Sequence, residues 1–72
     1  MAMTTAPLSA TQILRDNPLP LLRNLDVAES EKEVVISGWV TSYYLKQLAQ
    51  EAVLPFVGSR RLRNLVIVRT AY

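Results

Sequence analysis

The sequence predicts an α+β domain of order α-β-β-α-β: a three-stranded sheet with two helices packed on one face. Three observations predict it. The spacing of apolar residues switches from helical to alternating, back to helical and again to alternating along the chain. The switches fall at proline, glycine and hydroxyl-bearing residues, which start and stop such elements. And 72 residues can build only one core, so the helices share one face of the sheet.

The elements follow in order. Residues 1–8 are small, polar and proline-bearing, and are expected to be a disordered leader before a single domain over 9–72. In "SATQILRDNP", Ser9 or Thr11 is placed to cap a short helix that Pro18 ends, with Ile13 and Leu14 turned inward. Pro18 and Pro20 stiffen a turn leading to Leu21 and Leu22. From Leu25 to Val40 the period is two. Leu25, Val27 and Glu29 alternate with Asp26, Ala28 and Ser30; after Glu31-Lys32, Val34, Ile36, Gly38 and Val40 alternate with Val35, Ser37 and Trp39. Two such runs around a short polar break read as a β-hairpin, although the Asn-Gly or Asp-Gly of a tight turn is missing.

Thr41 or Ser42 caps the next element. In "YYLKQLAQEAVLPF", Leu45, Leu48, Ala49, Ala52 and Phe56 recur at the spacing of one helix face, and Pro55 and Gly58 end the helix near Leu54. The last strand, in "RRLRNLVIVRT", alternates Leu62, Asn64, Val66 and Val68 with Arg61, Arg63, Leu65, Ile67 and Arg69. Asn64 falls on the inward parity and is expected to hydrogen-bond backbone near the start of the long helix.

Composition narrows the chemistry. With no cysteine and no histidine, disulfides are excluded and the two commonest transition-metal ligands are missing. Two glycines make no phosphate-cradling loop. No base stands beside an obvious nucleophile, so no catalytic site, metal or cofactor is expected and the chain reads as a non-enzyme. Glu29, Glu31 and Glu33 surround the hairpin turn and read as solvated. The net charge of +2 is too small to imply nucleic acid by itself. The first residues lack the basic and apolar regions of a secretory signal, which gives a cytoplasmic expectation; a fragment of an exported protein would be periplasmic or envelope-associated.

The alternation sorts the side chains by face. If Val34, Ile36 and Val40 meet the helices, Trp39 lies on the other face with Val35 and Ser37. Gly38 supports this parity, since glycine suits an inward position approached by a helix backbone. The same parity puts Leu65 and Ile67 outside. A shift of one residue inverts the whole assignment. On the preferred register an apolar patch of Val35, Trp39, Leu65 and Ile67 is framed by Arg61, Arg63 and Arg69, with Arg60 just before them. An exposed apolar patch with a basic rim marks a contact surface. The plainer alternative is a set of single surface hydrophobics lying along arginine stems. The arginine cluster likewise fits phosphate binding or the guarding of an edge strand against aggregation. Tyr43 and Tyr44 open the long helix, one expected under the sheet edge and the other half-exposed.

From Leu25 to Val68 the chain resembles a BON domain, a small module of bacterial osmotic-shock and cell-envelope proteins. The resemblance is carried by "VVISGWVTSYYLKQLAQEAV", by "VGSRRLRNLVIV" and, upstream, by "ILRDNPL". Glu31-Lys32 stands in place of the family's turn, and Ser59 in place of a hydrophobic residue after the glycine. The resemblance implies this same fold and a role at an envelope or lipid surface. Taken with the residues, it gives a non-catalytic binding module. The expected partner is another protein, or a second copy in a homo-oligomer, on the open sheet face. An anionic phospholipid surface met by Arg60, Arg61, Arg63 and Tyr43 is the alternative. Single-stranded nucleic acid, stacking on Trp39, is the weakest reading, with one aromatic on that face.

Overall fold

In the computed structural model, which describes residues 9–70, a helix runs over Ala10–Arg15 (α1). Ser9 caps it, its Oγ accepting the Gln12 N–H at 3.1 Å; Thr11 lies inside the helix. The leader expected over 1–8, and the last two positions of the expected domain, lie outside the described residues. Beyond α1, Asn17 Oδ1 accepts the Leu19 N–H at 2.9 Å and folds the chain into a local turn. Pro20 then heads a single helical turn, Pro20–Arg23 (α2), where its lack of an N–H leaves no bond unmade. The sequence predicts only a stiff turn here. The extra turn of helix carries Leu22 into the core, where it is 1% exposed.

The hairpin pairs Asp26–Glu29 (β1) antiparallel with Glu33–Ser37 (β2), from Asp26 opposite Ser37 to Glu29 opposite Val34. Its turn works without Asn-Gly. No non-glycine residue among those described has positive φ, so this is not one of the mirror-image turns. The Ser30 N–H donates to the Glu33 carbonyl at 2.9 Å, while the Glu33 N–H goes to Ser30 Oγ at 3.1 Å. The serine hydroxyl thus takes the place of its own carbonyl, which faces Arg60 Nη1 at 3.4 Å.

Trp39–Val40 (β3) continues β2 past a break at Gly38, whose φ is +123°. A Cβ there would sit 2.9 Å from Leu25 Cδ2 and 3.5 Å from Leu25 Cα. The positive φ requires glycine, and the Leu25 side chain would have to shift to admit a Cβ. The close neighbour is Leu25, just before β1, and not a helix backbone as the sequence suggested.

Ser42 caps the long helix Tyr43–Val53 (α3), its Oγ accepting the Leu45 N–H at 3.2 Å. A 3-10 turn over Leu54–Phe56 follows, and Gly58, at φ +66°, reverses the chain. This crossover lays Arg61–Asn64 (β4) parallel to β2, and Ile67–Val68 (β5) parallel to β3. The Leu65, Ile67 and Arg69 N–H groups donate to the carbonyls of Ile36, Gly38 and Val40 at 2.8, 3.0 and 2.7 Å. The two parallel pairs therefore run in one register through the Gly38 break. The main sheet has the order β1-β2-β4.

The core lies on one face of this mixed sheet. Val34, Ile36 and Val40 are completely buried, with Val66 at 1%. Ala10 and Leu14 of α1, Leu22 of α2, and Ala49 and Val53 of α3 join the same cluster. Full burial of each Val, Leu or Ile among them contributes about 1.5–3 kcal/mol. Leu45, Leu48 and Ala52 border the cluster. The inward stripe of α3 is centred on Ala49 and Val53, one position round from the predicted line through Phe56.

Candidate functional site

The opposite face of the sheet carries the other parity. Trp39 is 46% exposed, Leu65 49% and Ile67 58%, too much for core side chains. Trp39 stands directly opposite Ile67 across the parallel pair, and Val35 opposite Arg63. Leu65 lies between these two rows on the last strand. Val35 is half-buried. Arg69 lies over the Trp39 ring, its guanidinium carbon 5.4 Å from the ring centre, a cation–π contact that also shields the indole. The structure thus brings Val35, Trp39, Leu65 and Ile67 together on one face.

The arginines divide. Arg61 is exposed, opposite Glu33 in register, and makes no ion pair among the described residues. Arg63 lies 3.8 Å from Glu33 through its Nη1, with both side chains well exposed, so the pair is weak and the guanidinium stays accessible. Arg60 is drawn inside. Its Nε donates to the Val57 carbonyl at 2.9 Å, its Nη2 to the Phe56 carbonyl at 2.8 Å, and its Nη1 to Glu29 Oε1 at 3.1 Å. It therefore stands apart from the face that holds Arg61 and Arg63.

Glu29 is the centre of that internal clamp. Its Oε2 accepts both the backbone N–H of Thr11, at 3.0 Å, and the Thr11 hydroxyl, at 2.8 Å. One carboxylate thereby joins β1, the first turn of α1 and Arg60 at the far end of the α3 crossover. Partial burial pushes its pKa up. The Thr11 N–H and hydroxyl, the Arg60 guanidinium and the Ala10 N–H outweigh that, holding it at about 2 against an ordinary 4.5. The expectation that Glu29 is a solvated turn residue is overturned, because this carboxylate closes a helix terminus. Its partners stand 18 and 31 residues away in sequence, so no local pattern marks them.

Asn64, on the inward parity, donates through Nδ2 to the Lys46 carbonyl at 3.1 Å and to Gln50 Oε1 at 3.3 Å; its Oδ1 accepts the Val66 N–H at 3.1 Å. It ties the last strand to α3. Tyr43 and Tyr44 are both exposed, at 69% and 68%, so neither packs under the sheet edge. With Leu45, Ala49 and Val53 turned inward, both fall on the outer flanks of α3.

Shallow concavities also mark the surface of the described residues. One, of about 470 Å³, lies at the hairpin end among Ser30, Lys32, Glu33 and Arg61. Another, of about 370 Å³, is more apolar and lies between the α1–α2 turn and α3, against Leu19, Leu22, Leu48 and Ala52. Among the described residues no group of three Asp or Glu side chains is arranged to hold a metal ion. No described helix is long and apolar enough to cross a membrane. No family model matches this chain, and no curated protein or solved structure matches it either.

Proposed function

We propose that the chain is a non-catalytic, BON-like binding module whose open sheet face contacts protein, a second copy of itself included. The observation that supports this reading is the placement of Trp39, Leu65 and Ile67 side by side, each about half exposed, on a sheet whose other face packs against the helices. Apolar side chains gathered on one face favour a partner more than isolated ones do. The arginine distribution favours protein over phosphate. Arg60 is committed to internal carbonyls and Glu29, which leaves fewer cations for an anionic lipid surface.

Trp39 is the only tryptophan in the chain, so its emission reports on this face directly. Sedimentation equilibrium over a wide concentration range, with Trp39 emission followed in parallel, tests self-association. Association with a blue-shifted tryptophan supports the face, provided Ile67→Glu abolishes both. Association that Ile67→Glu leaves intact moves the contact elsewhere. A monomer at every concentration removes the second copy as occupant. Cosedimentation with anionic but not neutral vesicles, lost in Arg61→Glu, would favour the lipid surface instead.

A further inference from the structure

Among the described residues the strand order leaves one edge of the sheet open, and the direction of its hydrogen bonds says what that edge offers. β4 is terminal in the order β1-β2-β4, and β5 continues it. The N–H groups of Arg61, Leu65, Ile67 and Arg69 all donate across the ladder, to Lys32, Ile36, Gly38 and Val40. Successive peptide groups of a strand point to opposite sides. The residues between them therefore aim their backbone groups away from the sheet. The Val66 N–H is met by Asn64 Oδ1 at 3.1 Å. By the same alternation the N–H groups of Leu62, Asn64 and Val68 aim toward the open edge. The opposite edge is different, because β1 lies against α1 and is tied to it through Glu29 and Thr11.

We infer that this edge accepts an added strand from a partner with acidic and apolar residues in alternation. The inference rests on the protein-contact reading and names the partner's chemistry. Along the outer face of the edge stand Arg61, Arg63, Leu65, Ile67 and Arg69, in that order. A strand laid beside them sets each of its own same-face residues about 5 Å from one of these. Carboxylates suit the positions beside Arg61, Arg63 and Arg69, and aliphatic residues those beside Leu65 and Ile67. The added strand also widens the apolar face next to Trp39.

A second copy of this edge is a poor occupant. Antiparallel self-pairing centred on Leu65 sets Arg61 against Arg69; centred on Val66 it sets Arg63 against Arg69. Centred on Asn64 it sets both Arg61 and Arg63 against Ile67 and Leu65. Like charges directly opposite are destabilising, and none of these registers supplies a carboxylate.

The test uses the isotope-labelled chain and three synthetic probes. The first is an extended peptide in which glutamate and valine alternate with threonine in the order the edge requires. The second replaces glutamate with lysine, and the third carries N-methyl groups on alternate amides. The acidic peptide is expected to bind and to protect the Leu62, Asn64 and Val68 amides from hydrogen exchange. Binding should weaken about tenfold or more for the lysine form and for the N-methylated form. In Arg61→Glu/Arg63→Glu the preference should pass to the lysine peptide. Binding that survives N-methylation overturns strand addition but leaves the sheet face as a contact surface. No binding of the acidic peptide, or protection of those amides that grows with protein concentration alone, overturns the acidic partner. Sedimentation of the Ile67→Glu variant judges the face reading separately.

Discussion

Arg60 and Arg63 are near neighbours in sequence and opposites in environment. Arg60 makes hydrogen bonds to two carbonyls at the end of the α3 crossover and to Glu29, whereas Arg63 meets Glu33 only across a wet surface. Removing the Arg60 side chain takes a donor from the half-buried Glu29 carboxylate and from the Phe56 carbonyl, while the Val57 carbonyl keeps the Arg60 backbone N–H. Arg60→Met should lower unfolding free energy by about 2 kcal/mol, as for hydrogen bonds to charged groups. Arg63→Met should change it by less than about 0.5 kcal/mol. Urea denaturation of the two variants makes the comparison. Glu29 also gives stability a pH dependence of definite sign. Its folded pKa, about 2, lies below its ordinary 4.5, so the native state favours the ionised form. That contribution is complete above about pH 4.5 and is lost progressively as pH falls toward 2. Glu29→Gln should be less stable at neutral pH and should flatten the acid limb of a stability-against-pH curve in that window.

At the scale of elements, the break between β2 and β3 is set by Gly38, which combines a positive φ with close contact to Leu25. Gly38→Ala should destabilise by about 1 kcal/mol or more, since the positive φ strains any residue with a Cβ and the Leu25 side chain must move to make room. A thermal melt of the variant checks this, and no loss of stability would mean that the break is not conformationally required. What the sequence makes legible follows from the same elements. Val34, Ile36 and Val40 share one parity and Trp39 the other, so two-residue periodicity sorts the side chains into two faces, while packing against the helices decides which face is inward. Ser9 and Ser42 announce their helices for a local reason, a hydroxyl within reach of an N–H three residues on. The turn at Pro20 and the weight of Val53 in the core are less legible, because both depend on what packs against them. The parallel sense of β4 depends on how the α3 crossover returns the chain, and no residue within β4 encodes it. Arg60 reads as part of a surface cluster until its carbonyl partners are placed in space.

The whole molecule rests on one small core without a disulfide, and the chain contains no histidine. Its margin is accordingly thin for its size. Ile36→Ala, at the centre of the sheet and completely buried, should cost about 2–5 kcal/mol, enough to unfold a marginal domain. Trp39→Ala removes a larger side chain from a half-exposed position, so it should cost folding less. Its larger effect should fall on association, as expected for an aromatic anchor at an interface. Equilibrium denaturation and sedimentation of the two variants separate the effects. If Trp39→Ala unfolds the chain and Ile36→Ala does not, the face assigned to contact is in fact the core.

The parallel docking of the last strand also sets an order of assembly. The β1–β2 hairpin closes across a turn of a few residues, and Ser30 holds that turn through its own side chain. β4 and β5 reach their partners only after the chain has passed through the whole α3 crossover, and contacts between distant residues are slow to form. The hairpin and α3 can therefore gather first, leaving the final strand to close the sheet beside β2. On that sequence of events, Ser30→Ala should chiefly slow folding, while Val68→Ala should chiefly speed unfolding. Stopped-flow folding and unfolding rates across urea concentrations distinguish them; the opposite pattern would mean that the last strand joins the nucleus. The edge proposed to receive a partner would then also be the part of the sheet that completes last and opens first.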